Sequence, residues 1–287
     1  MRLSVFHRTE YSYSEDVSNN NNELRLAPKH TQHQTVESSI IYVLPSSRLS
    51  SYSDLNHNRV HHFTIPQPHN RLVIESRSTV TTRQPVDINA LPYGFLHADL
   101  ASCLIDASCH LFIQSSSYVE VTADIWREAL DIQANSIDVF QTAYAIMEHI
   151  YTHYTYDTGS TNVSTHANDA IQKRSGVCQD FAHAMVALCR SLKIPARYIS
   201  GYFYDRTRDH SLRGAEASHA WVEVFVGEAG WVGLDPTNNK VVDETYILLA
   251  RGRDYRDVAP VVGSYYGEGG SSLNIQVQVD WLEDKPE

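Results

Sequence analysis

Cysteine is scarce in this sequence, and what there is follows no pairing pattern. Four cysteines in 287 residues are too few to staple a chain of this length, and neither Cys103 and Cys109 nor Cys178 and Cys189 has a C-x-x-C or zinc-ribbon spacing. All four are read as reduced. Basic charge is short as well: 23 Lys and Arg against 34 Asp and Glu leave a net charge of −11. That balance argues against nucleic acid or an anionic membrane as the main partner, since both require a basic footprint. Long apolar runs are missing. No stretch approaches the roughly 20 apolar residues of a membrane span, and "MRLSVFHRTEYSYSED" lacks the apolar centre of a signal peptide, so a cytoplasmic location is expected. The 15 histidines show no metal-ligand spacing: His57, His61, His62 and His69 crowd one β-like stretch without cysteine partners. No metal and no cofactor is expected.

What is present is a globular composition, 42% hydrophobic and 20% charged, on a chain long enough for one large domain or two ordinary ones. From Met1 to about Val80 the sequence offers strand-length pieces rich in Val, Ile, Thr and Tyr: "RLSVFHRTEYSY", "QTVESSIIYVLP", "RVHHFTIP" and "RLVIESRSTVTT". They predict antiparallel β structure. The intervening "SNNNNELRLAP" reads as an exposed turn. Residues from about Gln84 to Ser117 have weak periodicity and read as a packed linker. Helical spacing begins near Asp138, with Val139, Ala143, Ile146, Met147, Ile150 and Tyr151 on one face. The expected division is therefore 1–130, a β-rich N-terminal domain with linker, and 131–287, an α+β core with C-terminal strands.

Within that core, "SGVCQDFAHAMVALCRSL" places Phe181, Met185, Leu188, Cys189 and Leu192 at the spacing of one helix face. Cys189 belongs to this apolar stripe. Cys178 instead falls in or just before the first turn, where free backbone amides and the positive end of the helix dipole favour a thiolate. Downstream, "ARYISGYFY", "SHAWVEVFV" and "GWVGLDPTN" read as strands. Alternation puts His219, Trp221, Glu223 and Phe225 on one side of "SHAWVEVFV". In a simple hairpin Asp235 would face Val222, on the wrong side to meet His219. One extra residue, most naturally at Gly233, sets Asp235 opposite Trp221 and diagonal to His219, so a β-bulge or an equivalent irregular turn is predicted between Gly227 and Asp235.

A thiol at a helix N-terminus, a histidine on a neighbouring strand and a carboxylate on the next are the parts of an activated cysteine nucleophile. Taken singly, each has a plainer reading: buried cysteines are inert, a histidine beside tryptophan is often structural, and Asp-Pro after a strand is often a turn. Asp180, in the first helical turn, reads as a cap.

Together, "SGVCQDFAHAMVALCRSLKIPARYISGY", "SHAWVEVFV" and "GWVGLDPTN" closely resemble the core of the transglutaminase-like superfamily in its bacterial form. "MRLSVFHRTEYSYSEDVSNNNNELRLAP" resembles the β-rich region that precedes this core in bacteria, and "RGRDYRDVAPVVGSYYG" its C-terminal continuation. The resemblance implies a papain-like core, a nucleophile helix packed on an antiparallel sheet, with Cys178 as nucleophile, His219 as general base and acid, and Asp235 as orienter of the imidazole. It further implies an oxyanion hole, for which the Cys178 backbone amide is the first donor. Animal transglutaminases add a tryptophan upstream of the cysteine; no Trp lies between Trp126 and Cys178 here, so Tyr154, Tyr156 and Gln179 are the candidates. The implied activity is cysteine-dependent cleavage of a peptide or amide bond through a thioester. Transamidation or deamidation of protein glutamine uses the same triad, and a non-catalytic peptide-binding module uses the same fold. The loop at residues 205–217, "DRTRDHSLRGAEA", is expected to rim the cleft.

Overall fold

The computed structural model describes residues 1–87, 90–158, 166–207, 213 and 218–282. Its first element is long: β1 (Arg2–Leu24) alternates buried and outward residues, as a strand with one covered face must. The first half of β1 pairs antiparallel with β5 (His69–Thr82), which carries β2 (Gln34–Leu44) on its far side. The second half pairs with β4 (Arg59–Ile65), which carries β3 (Ser50–Ser53). The register breaks between Ser12 and Val17, where the strand bends.

The asparagine run expected as an exposed turn is part of this strand. Asn20 and Asn22 are buried. The Asn20 amide donates to the Tyr13 hydroxyl at 2.9 Å, and the Asn22 amide to Asn20 Oδ1 at 2.8 Å. A polar tract is thus satisfied side chain to side chain inside the sheet, a pattern that composition does not reveal.

The remaining edge of β1 is closed from the other end of the sequence. β13 (Val261–Tyr266) pairs with its second half and β14 (Ser271–Trp281) with its first. The C-terminal strands expected in the second domain therefore lie in the N-terminal sheet, because β1 offers an unpaired edge of matching length.

Between the two halves of that sheet the chain builds an α+β core. The stretch read as a linker holds a 3-10 helix at His97–Leu104 and the short α1 (Ala107–His110), and it buries Leu100, Cys103, Cys109, Phe112 and Ile113. α2 (Ala123–Gln133) follows, capped by Thr122, and α3 (Val139–His153), capped by Asp138 through the Gln141 amide. β6 (Thr155–Tyr156) lies parallel to β7 (Ser175–Gly176), with α4 (Ala167–Lys173) between them in sequence.

α5 (Cys178–Ser191) is buried on every side from Gln179 to Ser191. It is not amphipathic in place: α2, α3 and α4 cover one flank and a five-stranded antiparallel sheet the other. That sheet has the order β11 (Lys240–Val241), β10 (Trp231–Asp235), β9 (His219–Phe225), β8 (Ala196–Phe203), β12 (Tyr246–Gly252). Ala220, Val222 and Val224 face α5, in one core with Phe181, Met185 and Leu188. Arg190, fully buried, ties the helix end down by donating to the carbonyls of Phe112, Gln114, Ala196 and Arg253.

Two carboxamide side chains, Gln34 on β2 and Asn58 just before β4, join the N-terminal region to the edge strand β12. The Gln34 carboxamide donates to Leu248 O and accepts from Leu248 N, each at 2.8 Å. Asn58 does the same for Arg251, at 2.8 and 2.9 Å. These amides mimic a neighbouring strand and cover an edge that would otherwise expose unpaired backbone. Leu3, Val5 and Val80 pack on Tyr202, Ile247 and Leu249 beside them. His7 bridges the Tyr202 hydroxyl (2.6 Å) and Thr9 (2.9 Å).

Candidate functional site

The site begins at a glycine. At Gly176 a Cβ would stand 2.5 Å from Asp180 Oδ2, so only hydrogen fits where the carboxylate folds back to accept the Val177 amide at 2.8 Å. Asp180 is therefore the cap that its position in the first turn suggested. With Val177 as the last extended residue, Cys178 opens the helix and is partly exposed, whereas Cys103, Cys109 and Cys189 are buried. All four are free thiols. Burial pushes Cys109 up to about 11 and Cys189 up to about 12, which keeps both protonated. Cys178 stands at the first position of α5, so the positive end of the helix dipole lies around the thiol.

β9 and β10 supply the other two groups. Trp231 pairs with Phe225 and Leu234 with Val222, which sets Asp235 opposite Trp221 and beside His219. The expected irregularity lies in the turn itself and not at Gly233. A 3-10 turn at Gly227–Ala229 holds the extra residue, and Gly227 and Gly230 adopt φ of 66° and 71°, a region that favours glycine. Gly233 answers a different need: a Cβ there would meet Val242 Cγ2 at 2.6 Å.

His219 Nε2 donates to Asp235 Oδ2 at 2.8 Å, with both side chains fully buried. Burial disfavours the imidazolium, but the adjacent carboxylate outweighs it, with a further contribution from Cys178, and the ring is pushed up to about 10. Asp235 shifts the other way. Burial raises it, yet His219 and the surrounding donors hold the carboxyl below its ordinary range. Those donors are numerous: Asn238 Nδ2 at 2.9 Å and the Tyr246 hydroxyl at 2.8 Å also reach Oδ2, while the Thr237 and Asn238 amides reach Oδ1 at 2.9 and 3.3 Å. His219 Nδ1 is buried and finds no hydrogen-bond acceptor or donor among the described residues. Phe203 meets the ring edge-on at 4.9 Å between centroids.

Three tyrosines feel the charge that Cys178 carries as a thiolate: Tyr156, Tyr198 and Tyr255. Burial first, and Cys178 second, push Tyr156 up to about 12, so its hydroxyl remains a donor at neutral pH. Tyr154 is not brought here. It caps α3, its ring meets Phe181 and His149, and the charges near it are Glu128 and Arg174. Gln179 is buried at the second position of α5.

Sequence reasoning missed Tyr246, which lies outside every motif, and Asn238, the last residue of "GWVGLDPTN". It also missed His183, which accepts the Tyr255 amide at Nε2 (3.1 Å) and is pushed down to about 3 by burial. Of the loop expected to rim the cleft, only 205–207 and 213 are among the described residues. Arg213 is held by Asn238 at its amide (2.9 Å) and stacks 5.3 Å over the Tyr156 ring. No group of three or more His, Cys, Asp or Glu among the described residues is arranged to hold a metal ion.

Comparison with known proteins gives the arrangement a context. The transglutaminase-like superfamily matches residues 129–236, and the bacterial transglutaminase-like N-terminal region matches residues 3–81. An uncharacterized protein of Mycobacterium leprae is 31% identical over 284 residues, spanning 98% of this chain and 99% of its own. A crystal structure from Cytophaga hutchinsonii, described as a "putative cysteine protease", superposes with a TM-score of 0.79 at 25% identity, covering 100% of this chain and 92% of that one. A protein-glutamine gamma-glutamyltransferase of Pseudomonas aeruginosa is 39% identical over 67 residues, 22% of this chain and 10% of its own.

Proposed function

This chain belongs to the transglutaminase-like superfamily, and from that premise we propose that it is a cysteine-dependent acyl-transfer enzyme that hydrolyses a peptide or amide bond. The observation that carries the reading is the state of His219: Nε2 is bonded to Asp235, while Nδ1 is buried without another partner among the described residues and the Cys178 side chain acts on the ring. In this reading Nδ1 takes the thiol proton and leaves a thiolate at the positive end of α5.

Cys178 Sγ attacks the carbonyl carbon, and the electron pair of the C=O moves to oxygen. The Cys178 amide and the Tyr156 hydroxyl donate to that oxyanion, with Gln179 a further donor. As the C–N bond breaks, Nδ1–H protonates the departing nitrogen and a thioester remains. Water then attacks the thioester, giving its proton to Nδ1, and the acid leaves as the thiol is restored. An amine in place of water makes the same enzyme a transglutaminase, and a glutamine side chain as donor with water makes it a deamidase. The match to the Pseudomonas aeruginosa gamma-glutamyltransferase supports keeping both acceptors in the assay. The substrate is a peptide or protein amide, with neither nucleic acid nor membrane as partner, and the proposed location is the cytoplasm. No helix among the described residues is long and apolar enough to cross a membrane.

Brief alkylation of native protein with limiting iodoacetamide, mapped by mass spectrometry across pH, tests this. Selective labelling of Cys178 well below the free-thiol value of about 8.5, lost in His219→Ala, is expected. Labelling at the rate of an ordinary thiol would favour the non-catalytic peptide-binding alternative.

A further inference from the structure

A concave feature lies on the opposite face of the core sheet from α5. A cavity of about 390 Å³ opens between residues 31–34 and 82–85 of the N-terminal region and strands β8, β9, β10 and β12. Its size falls in the usual range for small-molecule sites.

Charge in this cavity is unbalanced. Three guanidiniums line it, Arg83, Arg197 and Arg251, against two carboxylates, Glu223 and Asp243. Both carboxylates are already engaged. Glu223 Oε2 accepts from Arg197 Nε at 2.6 Å, and Asp243 accepts from the Thr245 amide at 2.8 Å and pairs with Lys240 at 3.6 Å. Arg251 has no carboxylate within ion-pair distance among the described residues, and its Nε–H is buried without an acceptor. Burial, and then the neighbouring Arg197, disfavour its charge. A second buried donor on the same wall, the Nε1–H of Trp221, also lacks an acceptor among the described residues, although that residue is only 1% exposed. Leaving such donors unpaired is unfavourable. Beside them the wall is apolar, formed by Trp231, Val242 and Leu248.

We propose that this cavity binds a small molecule bearing a carboxylate and a compact apolar body, with the Arg251 guanidinium as its donor. The site is separate from the thiol chemistry and stands whether or not Cys178 turns over. It is nevertheless joined to Asp235 by one side chain: Tyr246 lines the cavity and donates its hydroxyl to Asp235 Oδ2. An occupant that displaces the Tyr246 ring alters the donor set of that carboxylate.

Phenylacetate is a suitable probe, with phenylacetamide and 2-phenylethylamine as neutral and cationic counterparts. Titration of the full chain, followed by calorimetry and tryptophan fluorescence, is expected to give saturable 1:1 binding of phenylacetate, with both counterparts weaker by about tenfold or more. Arg251→Met should remove that preference with the fold intact by circular dichroism, because Asn58 holds Arg251 through its backbone and not its side chain. Bound phenylacetate should also shift the pH profile of Cys178 alkylation in the wild type and not in Tyr246→Phe. No saturable binding, equal binding of acid and amide, or a preference that survives Arg251→Met would each overturn the site. Saturable binding with an unchanged alkylation profile would overturn the link to Asp235.

Discussion

The Tyr246 hydroxyl and the Asp235 carboxylate meet at 2.8 Å, on the same oxygen that receives the His219 ring. Asp235 is thus held from β12 as well as from its own strand. Tyr246→Phe deletes one charge-assisted bond, worth about 1.5–3 kcal/mol. Denaturant unfolding should record a loss of that size. Turnover should fall about tenfold at constant KM, since the change acts on orientation of the imidazole.

The His219–Asp235 pair gives the fold a pH signature. The folded pKa of His219 is raised to about 10, so its contribution is full below the unfolded value of about 6.5 and fades as pH climbs towards 10. Asp235 is lowered, so its share is present above about 3.9 and disappears in acid as the folded group protonates. Urea unfolding of the wild type should therefore show the pair most stabilising between these limits. His219→Phe should flatten the alkaline decline; a decline that persists in the variant would show that other groups cause it.

Thiol counting separates the four cysteines. Native protein should expose one fast-reacting thiol to a disulfide reagent, and denatured protein four. Cys178→Ala should remove the fast phase and all turnover while leaving thermal stability nearly intact. Cys189→Ala should leave turnover unchanged and cost about 1 kcal/mol for the small cavity it leaves.

Gly176→Ala places a methyl against the Asp180 carboxylate and displaces the cap. A stability loss of about 1–3 kcal/mol is expected, with a larger fall in Cys178 alkylation than Asp180→Asn produces, because the backbone that aims the thiol must move.

Gln34→Ala tests the joint between sheets. It leaves the Leu248 amide and carbonyl on β12 without their partners, and the expected cost is about 1–3 kcal/mol. Hydrogen exchange should accelerate at Leu248 before it does in α5.

Much of this architecture was legible because local signals agreed. Alternation and β-branched residues marked β1, β2, β4 and β5, and the spacing from Cys178 to Leu192 marked α5. The Asp235 register followed from requiring His219 and a carboxylate on one face. What was not legible depends on distant partners. That α5 is buried all round reflects helices stacked on its polar side, including α2. Asn20 and Asn22 look like turn residues until Tyr13 and each other satisfy them. Tyr154 and Tyr156 are indistinguishable in sequence, and only the end of α3 turns one towards Glu128 and leaves the other beside the thiol. Nothing local points from Tyr246 to Asp235.

The strand β1 has one further consequence, in the order of events during synthesis. Its outer edge is completed by β13, which begins at Val261, and by β14. As the chain leaves the ribosome, β1 can pair with β4 and β5 early, but the edge reserved for β13 and β14 stays open while the whole α5 core is made. Contacts of such long sequence separation form slowly, and an open edge during that interval is a place where a second nascent chain can pair. The chain that frames the thiol is therefore finished last at its outermost seam.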